Sequence, residues 1–180
     1  MALTATICQF AVELADVDRG VYATLDLRLA RHPSETGRYL WTRLFAYCLE
    51  YADGIAFSKG GLSNVEEAPV SIRDDTGILM AWIDVGAPSP DRLHRASKAA
   101  RRVALYTSAD LGVLARDYGA RGVHKLADIA VWPLDVLMLA QLEQSLARST
   151  QLELTRSDGR LYVAAAGAHF DVGLAQVRLA

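Results

Sequence analysis

The chain has 180 residues, of which 52% are hydrophobic and 22% are charged, and its formal net charge is −2. This composition excludes an intrinsically disordered chain, because disordered chains are poor in apolar residues and strongly charged. It also excludes a globally basic nucleic-acid-binding protein, although a local basic patch remains compatible with it. No repeat, low-complexity tract or linker interrupts the sequence, so we expect a single domain over residues 1–180.

The sequence predicts no membrane segment and no exported protein. It contains no run of about 18 apolar residues, which is the length that crosses a bilayer. Residues 1–9 lack the charged stretch and apolar block of a signal peptide, so we expect a cytoplasmic protein. Two cysteines, Cys8 and Cys48, are too few for a disulfide scaffold, and we expect both to be buried and reduced.

The first half of the chain predicts strands around one helix. Alternating apolar residues predict strands over 3–14 and 21–30. A helix is expected from Glu35 to about residue 52, with Ser34 as its N-cap. A short strand at 55–58 follows, and then a hairpin of strands 70–73 and 78–85 around the turn at 74–77.

The second half predicts alternating helices and strands. Ser89 and Pro90 predict the start of a helix that runs to about residue 102. Strands at 103–107 and 128–132 enclose a helix at 111–118, and a helix at 134–147 follows. Residues 151–155 and 161–163 predict a closing hairpin. The fold class is therefore α/β, a mixed sheet with flanking helices and added N-terminal and C-terminal strands.

The hairpin brings acidic residues together in this interpretation. A four-residue turn at 74–77 places Asp84 opposite Glu67, whereas a three-residue turn places it opposite Glu66. Directly opposed side chains lie about 5 Å apart at Cβ, and two carboxylates there repel unless a cation or proton intervenes. Such an arrangement is the one that a divalent-metal site needs, but from this geometry alone solvated strand ends are the favoured interpretation and the metal site is the alternative.

Asp84 and the helix after it carry the remaining signal. Asp84 interrupts an apolar run, where a buried carboxylate is costly unless it serves a purpose. Arg95, Lys98 and Arg102 follow at spacings that place them on one flank of the helix. Such a stripe beside a metal would hold phosphates, whereas without the neighbouring acids an ordinary solvated helix face is the favoured interpretation.

Several sequence blocks resemble the YaeQ family of bacterial proteins. They are the opening MALTATI, the block LARHPSET at 29–36, WIDVGAP at 82–88, and VW at 131–132. The resemblance covers essentially the whole chain. It implies a compact variant of the PD-(D/E)xK, or restriction-endonuclease-like, nuclease core, whose order is helix, antiparallel strands, helix, strand. It also implies a divalent-metal site and contact with nucleic acid.

The resemblance assigns catalytic and metal-binding roles by position. Asp84 matches the second acid of the nuclease motif, and Glu66 or Glu67 matches the first, with the register favouring Glu67. Asp74 is the runner-up for the first acid, although it is more naturally a turn residue. Gly86 stands where the motif has lysine, so Arg95 or Lys98 would take its place, and the resemblance supports binding more than catalysis.

The resemblance also brings other residues toward the site. Glu35 is a further acid that would join the metal ligands. The residues expected to contact nucleic acid are Arg31, His32, Ser34, Arg43, Lys59 and Arg102.

Three hypotheses follow for the function. The first is a Mg²⁺-dependent nuclease, with Mn²⁺ as a substitute, in which Arg95 or Lys98 holds the scissile phosphate. The second is a nucleic-acid-binding module whose nuclease site has decayed. The third is a protein-interaction module on the same scaffold. The sequence leaves DNA versus RNA, and single versus double strands, open.

Overall fold

The computed structural model describes residues 5–59 and 64–179 and has two mixed sheets and four α-helices within them. The elements are β1 (Thr6–Asp16), β2 (Val21–Arg31), α1 (Gly37–Leu49), β3 (Ile55–Phe57), β4 (Val70–Arg73), β5 (Leu79–Val85), α2 (Pro90–Ala99), β6 (Arg102–Thr107), α3 (Leu111–Ala120), β7 (Ala130–Pro133), α4 (Val136–Gln144), β8 (Ser149–Ser157), β9 (Arg160–Ala165) and β10 (Ala168–Gly173). The expected α/β class is confirmed, and every predicted element is present within a few residues of its expected bounds.

The chain divides into two compact units. Unit 1 comprises Met1–Trp41 and Asp135–Ala175, and unit 2 comprises Thr42–Leu134 and Gln176–Ala180. The expectation of one domain over the whole chain stays a prediction. The helices found in the described ranges are too short or too polar to cross a membrane.

Unit 1 contains a five-stranded sheet in the order β10-β9-β8-β1-β2. β1 and β2 form a long hairpin, and β1 also pairs in parallel with β8. Alternate residues of β1 are buried, as the period of two predicts. The buried face of the sheet is formed by apolar side chains, namely Phe10, Val12, Leu14, Leu29, Leu152, Leu154, Leu161 and Val163. The sequence predicted neither the parallel pairing of β1 nor the last strand, β10.

Two contacts attach helices to the core of unit 1. The ring of Phe10 meets that of Trp41 edge-on, with centroids 5.3 Å apart. The indole nitrogen of Trp41 donates to the carbonyl oxygen of Leu142 in α4 over 2.9 Å. Trp41 lies in the first half of α1, so these contacts tie the start of that helix to α4.

The start of α1 differs from the prediction. The helix begins at Gly37, and the hydroxyl of Thr36 accepts from the backbone N–H of Tyr39 over 3.1 Å. Thr36 is therefore the N-cap, because it directly precedes the first helical residue. Ser34 is not the cap: its hydroxyl lies 2.6 Å from Nδ1 of His32.

Unit 2 contains the sheet β3-β4-β5-β6-β7. The first three strands are antiparallel, and β6 and β7 add in parallel, since α2 and α3 serve as crossover helices. The core includes apolar side chains from strands and helices, among them Trp82, Leu93, Ala96, Leu105, Leu114, Tyr118, Ile129 and Val131. As predicted, Ser89 caps α2 by accepting from the N–H of Arg92, and Pro90 occupies its first turn.

The register of the β4–β5 hairpin corrects the prediction. Val70 pairs with Ile83, and Arg73 pairs with Leu79 instead of with residue 78. A bulge at 72–73 shifts the register, because one extra residue displaces every later pair. The pairing ends at Val70, so neither Glu66 nor Glu67 is the strand partner of Asp84.

Candidate functional site

Asp84 is a buried carboxylate near the C-terminal end of β5. Its residue is only 2% exposed. Trp82, two residues earlier on the same face of the strand, donates its indole N–H to Oδ2 of Asp84 over 2.9 Å. The backbone N–H of Val85 donates to Oδ1 over 3.1 Å. The strand itself therefore supplies one hydrogen bond to each oxygen of Asp84.

Arg92, in the first turn of α2, provides the charge that balances Asp84. Its Nε lies 2.7 Å from Oδ2 of Asp84, and its side chain is 16% exposed. The other guanidinium nitrogens donate to the carbonyl oxygens of Val65 and Glu67 over 2.9 and 2.8 Å. The guanidinium carbon also lies 5.4 Å from the ring centre of Trp82. Arg92 thus binds the carboxylate, the loop before β4 and an aromatic face at once.

The charge of Asp84 is also felt by Tyr118 of α3. Burial raises the pKa of the Tyr118 hydroxyl, and the nearby carboxylates of Asp84 and Asp117 raise it further. The hydroxyl stays protonated and donates to the carbonyl oxygen of Pro88 over 2.9 Å. Tyr118 of α3 is therefore a hydrogen-bond donor to the loop between β5 and α2.

The three candidates for the first acid each have other contacts. The carboxylate of Glu67 accepts from the hydroxyl of Ser58 over 2.9 Å. Glu66 is exposed, and its carboxylate lies 2.5 Å from Nη1 of Arg95. Asp74 accepts from Thr76 within its own turn, and this hydrogen bond is the main reason that its pKa is lowered. None of these contacts joins the carboxylates to Asp84.

The basic residues of the α2 region are exposed but unequally engaged. Arg95 is 51% exposed and pairs with Glu66, which is itself 69% exposed. Arg102 makes two hydrogen bonds to the carboxylate of Glu50, of 3.3 and 2.6 Å. Lys98 is exposed and forms no ion pair with any residue in the ranges 5–59 and 64–179. The expected stripe on one flank of the helix is present only as Arg95 and Lys98, because α2 ends at Ala99 and Arg102 is the first residue of β6. Lys98 is the less engaged of the two.

Gly86, at the position of the motif lysine, has a backbone conformation that favours glycine. Its φ is +76°, in the left-handed region that L side chains rarely adopt. Its N–H donates to the carbonyl oxygen of Tyr106 over 2.8 Å, which joins the end of β5 to β6. A lysine, or any other L side chain, at this position would strain the backbone.

The candidates at 31–35 belong to unit 1 and form a closed turn. The Glu35 side chain accepts from the backbone N–H of His32 over 3.1 Å, and the Glu35 N–H donates to the His32 carbonyl over 2.8 Å. Nε of Arg31 donates to the carbonyl oxygen of Glu35 over 3.0 Å. Glu35 is buried. These contacts give residues 31–35 a local role in shaping the chain before α1.

The last two expected phosphate contacts lie in unit 2. Arg43 is buried, with its guanidinium carbon 5.7 Å from the ring centre of Phe57. Lys59 is exposed at the end of the described segment before residue 60. A phosphate can reach Lys59 directly, whereas it would reach Arg43 only after that side chain moved.

The residues around Asp84 do not fit a divalent metal in this arrangement. Mg²⁺ requires carboxylate oxygens that are open to it and to its waters. Both oxygens of Asp84 accept hydrogen bonds, and a guanidinium that stays charged occupies the side that a cation would take. The described ranges contain no group of three or more His, Cys, Asp or Glu side chains that could hold a metal ion.

Arg92 is the residue that sequence reasoning missed, since it was one of several cations in a basic run. Two signals could have singled it out. It lies in the first turn of the helix that starts five residues after the end of β5, where a side chain can reach back over the strand end. Trp82 and Asp84 also share one face of β5, so a cation there finds both a carboxylate and an aromatic ring.

Comparison with known proteins agrees with the fold. The family model described as YaeQ protein matches residues 1–174. The chain is 34% identical over 176 residues to an uncharacterised protein YaeQ of Salmonella typhi, covering 97% of this chain and 96% of the relative. It is 34% identical over 165 residues to the corresponding protein of Escherichia coli (strain K12), covering 91% and 90% of the two chains.

Two solved structures have the same architecture. The crystal structure of a YaeQ protein from Pseudomonas syringae has a TM-score of 0.87 at 29% identity and covers 96% of each chain. That of the YaeQ protein from Xanthomonas axonopodis pv. citri has a TM-score of 0.86 at 29% identity, covering 97% of this chain and 99% of the other. The sequence blocks, the family match and the shared fold together show that this chain belongs to the YaeQ family.

Proposed function

We propose that this protein is a nucleic-acid-binding module on a nuclease-like scaffold and that it does not cleave through a metal at Asp84. The observation that carries the proposal is the Arg92 guanidinium bound to the buried Asp84 carboxylate over 2.7 Å. In a metal nuclease that carboxylate would be a ligand. Here an arginine, which cannot lose its charge near neutral pH, neutralises it internally.

The relationship to the PD-(D/E)xK core is part of this proposal. The order α1, antiparallel β3-β4-β5, α2 and parallel β6 agrees with the helix, antiparallel strands, helix, strand order of that core. Asp84 stands at the end of the strand where the second acid of the motif would be. Gly86, with its φ of +76°, replaces the lysine. A scaffold that keeps one acid and lacks the lysine supports binding more than cleavage.

Phosphate contact would come from the exposed flank of α2. Lys98 is exposed, and the Arg95–Glu66 pair is open to solvent on both sides. An exposed ion pair contributes at most about 1 kcal/mol, so a phosphate can replace Glu66 at small cost. Release of counterions from the nucleic acid would then drive binding.

Fluorescence anisotropy with labelled single-stranded DNA, duplex DNA and an RNA hairpin tests this binding. We expect affinity to fall as salt rises from about 50 to about 200 mM. The double variant R95A/K98A should bind more weakly and show a salt slope smaller by about 2, one for each phosphate contact. The control R116A/R121A removes two exposed cations from the α3 region and should bind like the natural protein. Binding that ignores salt, or that both double variants weaken equally, would contradict the proposal.

A metal nuclease is the second candidate function, and it requires Arg92 to leave Asp84. Arg92 holds both the Asp84 carboxylate and the main chain at Glu67, so displacement of this one side chain would free both acid-bearing segments. In that case Glu67 and Asp84 would be the Mg²⁺ or Mn²⁺ ligands. Cleavage of circular DNA, single strands or structured RNA by the natural protein but not by Asp84→Asn would establish it. Absence of cleavage from both proteins would favour the binding module.

A further inference from the structure

β2 is a long and regular strand at the edge of the unit 1 sheet. It runs over 11 residues, Val21–Arg31, and pairs with β1 at every one of them without a bulge. The sheet order ends at β2, and no strand in the described ranges pairs with its other side. A strand edge of this kind presents backbone N–H and C=O groups that another extended chain can bind.

β2 lacks most of the sequence devices that protect a strand edge. Protected edges are short or bulged, or carry proline or charged side chains, lysine above all, and of these β2 has only charged residues other than lysine. The sequence VYATLDLRLAR contains no proline, glycine or lysine, and its length is about twice that of a common strand. Its charged residues are one acid, Asp26, and two bases, Arg28 and the terminal Arg31.

Asp26 and Arg28 lack a charge partner on their own sheet. They are exposed and point to the same face of β2, two residues apart. Their neighbours across β1 are Ala11 and Gln9, which are neutral. Neither forms an ion pair with any residue of the described chain. A strand on the other side of β2 would pair with both charges if it placed a positive side chain opposite Asp26 and a negative one opposite Arg28.

A second copy of β2 presents that order. When two copies pair antiparallel about Leu27, Asp26 lies opposite Arg28 of the partner subunit, and the two-fold axis repeats the pair. On the other face Leu25 lies opposite Leu29 of the partner subunit. Leu27 faces its own copy. In a single chain Leu25 and Leu29 are buried but Leu27 is only half-buried, so this contact would cover the apolar residue left at the edge.

We propose that β2 pairs with β2 of a second copy of this chain, antiparallel and centred on Leu27, to form a two-fold symmetric homodimer. Self-complementarity of this kind is what a two-fold interface requires. Strand pairing alone buries less surface than the roughly 1,200 Å² of stable interfaces, so the dimer is a weak one that depends on concentration. The inference is independent of nucleic-acid binding.

Sedimentation equilibrium of the full chain over a range of concentrations tests the proposal. The variants D26R and R28D each place like charges opposite each other twice in the dimer, and each should weaken association at least about tenfold. The double variant D26R/R28D restores opposite charges at both pairs. It should associate within about threefold of the natural chain. Glu153→Arg reverses an exposed charge on the central strand β8 of the same sheet and should leave association unchanged.

Three results would overturn the proposal. The natural chain could stay monomeric up to about millimolar concentration, which is the highest dissociation constant that we would assign to a dimer formed through β2. Both single variants could dimerise as well as the natural chain, which would place the interface elsewhere. The double variant could associate as weakly as the single ones, which would mean that the charges do not face each other. Far-UV circular dichroism of each variant would verify that the sheet is intact.

Discussion

The Asp84–Arg92 pair can be tested directly by Arg92→Met, which keeps the aliphatic length but removes the guanidinium. The change leaves the Asp84 carboxylate buried with the N–H groups of Trp82 and Val85 and without its cation. It also removes the two hydrogen bonds from Arg92 to the carbonyl oxygens of the loop before β4.

The expected loss of stability is about 3 kcal/mol. Removal of one partner of a buried ion pair costs about 3–5 kcal/mol, because the remaining charge is uncompensated. Asp84 is only 2% exposed, but Arg92 is 16% exposed, and water that enters its place would moderate the cost. The estimate therefore lies at the lower end of that range. The double variant D84N/R92M should regain part of the loss, since it removes the buried charge as well.

The control is Arg95→Met, one turn further along α2. The Arg95–Glu66 pair is 51% and 69% exposed on its two sides, so its loss should cost less than about 1 kcal/mol. Urea unfolding, followed by tryptophan fluorescence and far-UV circular dichroism, gives the free energy of unfolding of each protein. A loss under about 1 kcal/mol for R92M, or equal losses for R92M and R95M, would refute the central role of the Asp84–Arg92 pair.

Three further predictions concern Cys48, Gly54 and Asp74 of unit 2, with Gly20 of unit 1 as a control. Burial raises the pKa of the Cys48 thiol to about 12, so at pH 8 iodoacetamide should leave Cys48 unmodified in the native protein and label it in urea. Mass spectrometry of the Cys48 peptide measures the labelling, and equal rates in the two conditions would contradict the prediction. Gly54→Ala would place a Cβ 1.9 Å from the carbonyl oxygen of Arg73 at a φ of +79° and should cost about 3 kcal/mol of unfolding free energy. Gly20→Ala, at a φ of +67° with nothing within 4 Å, should cost only about 1 kcal/mol, and equal losses would exclude the close contact as the cause. A hydrogen bond from Thr76 lowers the pKa of Asp74, so Asp74→Asn should be less stable than the natural protein above about pH 4. This difference in unfolding free energy should disappear as the pH falls through the lowered pKa of Asp74. A difference that does not change with pH in urea unfolding would show that the charge is not involved.

The secondary structure could be predicted because its signals are local. The period-two pattern of Leu25, Leu27 and Leu29 requires only the alternation of side chains along a strand. Ser89 and Pro90 predict the start of α2 from capping chemistry, and the Ser89 hydroxyl accepts as expected. The N-cap of α1 was misplaced from Thr36 to Ser34, since both hydroxyls stand near the helix start and the sequence does not rank them.

The candidate site could be predicted only in part. The buried Asp84 follows from a lone acid in an apolar run, and the structure confirms its burial. The register that placed Glu67 opposite it was wrong, because Arg73 pairs with Leu79 instead of residue 78 and the bulge at 72–73 shifts the pairs beyond it by one residue more. The roles of Glu67, Arg95 and Lys98 in binding metal or phosphate stay predictions.

The sequence alone determined every strand and α-helix except β10, their order and the resemblance to the YaeQ family, because propensities, caps and sequence blocks are properties of neighbouring residues. The tertiary structure decided what each side chain contacts. The parallel pairing of β1 with β8 joins residues about 140 positions apart in the chain, which no local pattern encodes. The partner of Asp84 was decided in the same way: several cations follow it in the sequence, and only the position of α2 against the end of β5 shows that Arg92 is the one that reaches the carboxylate.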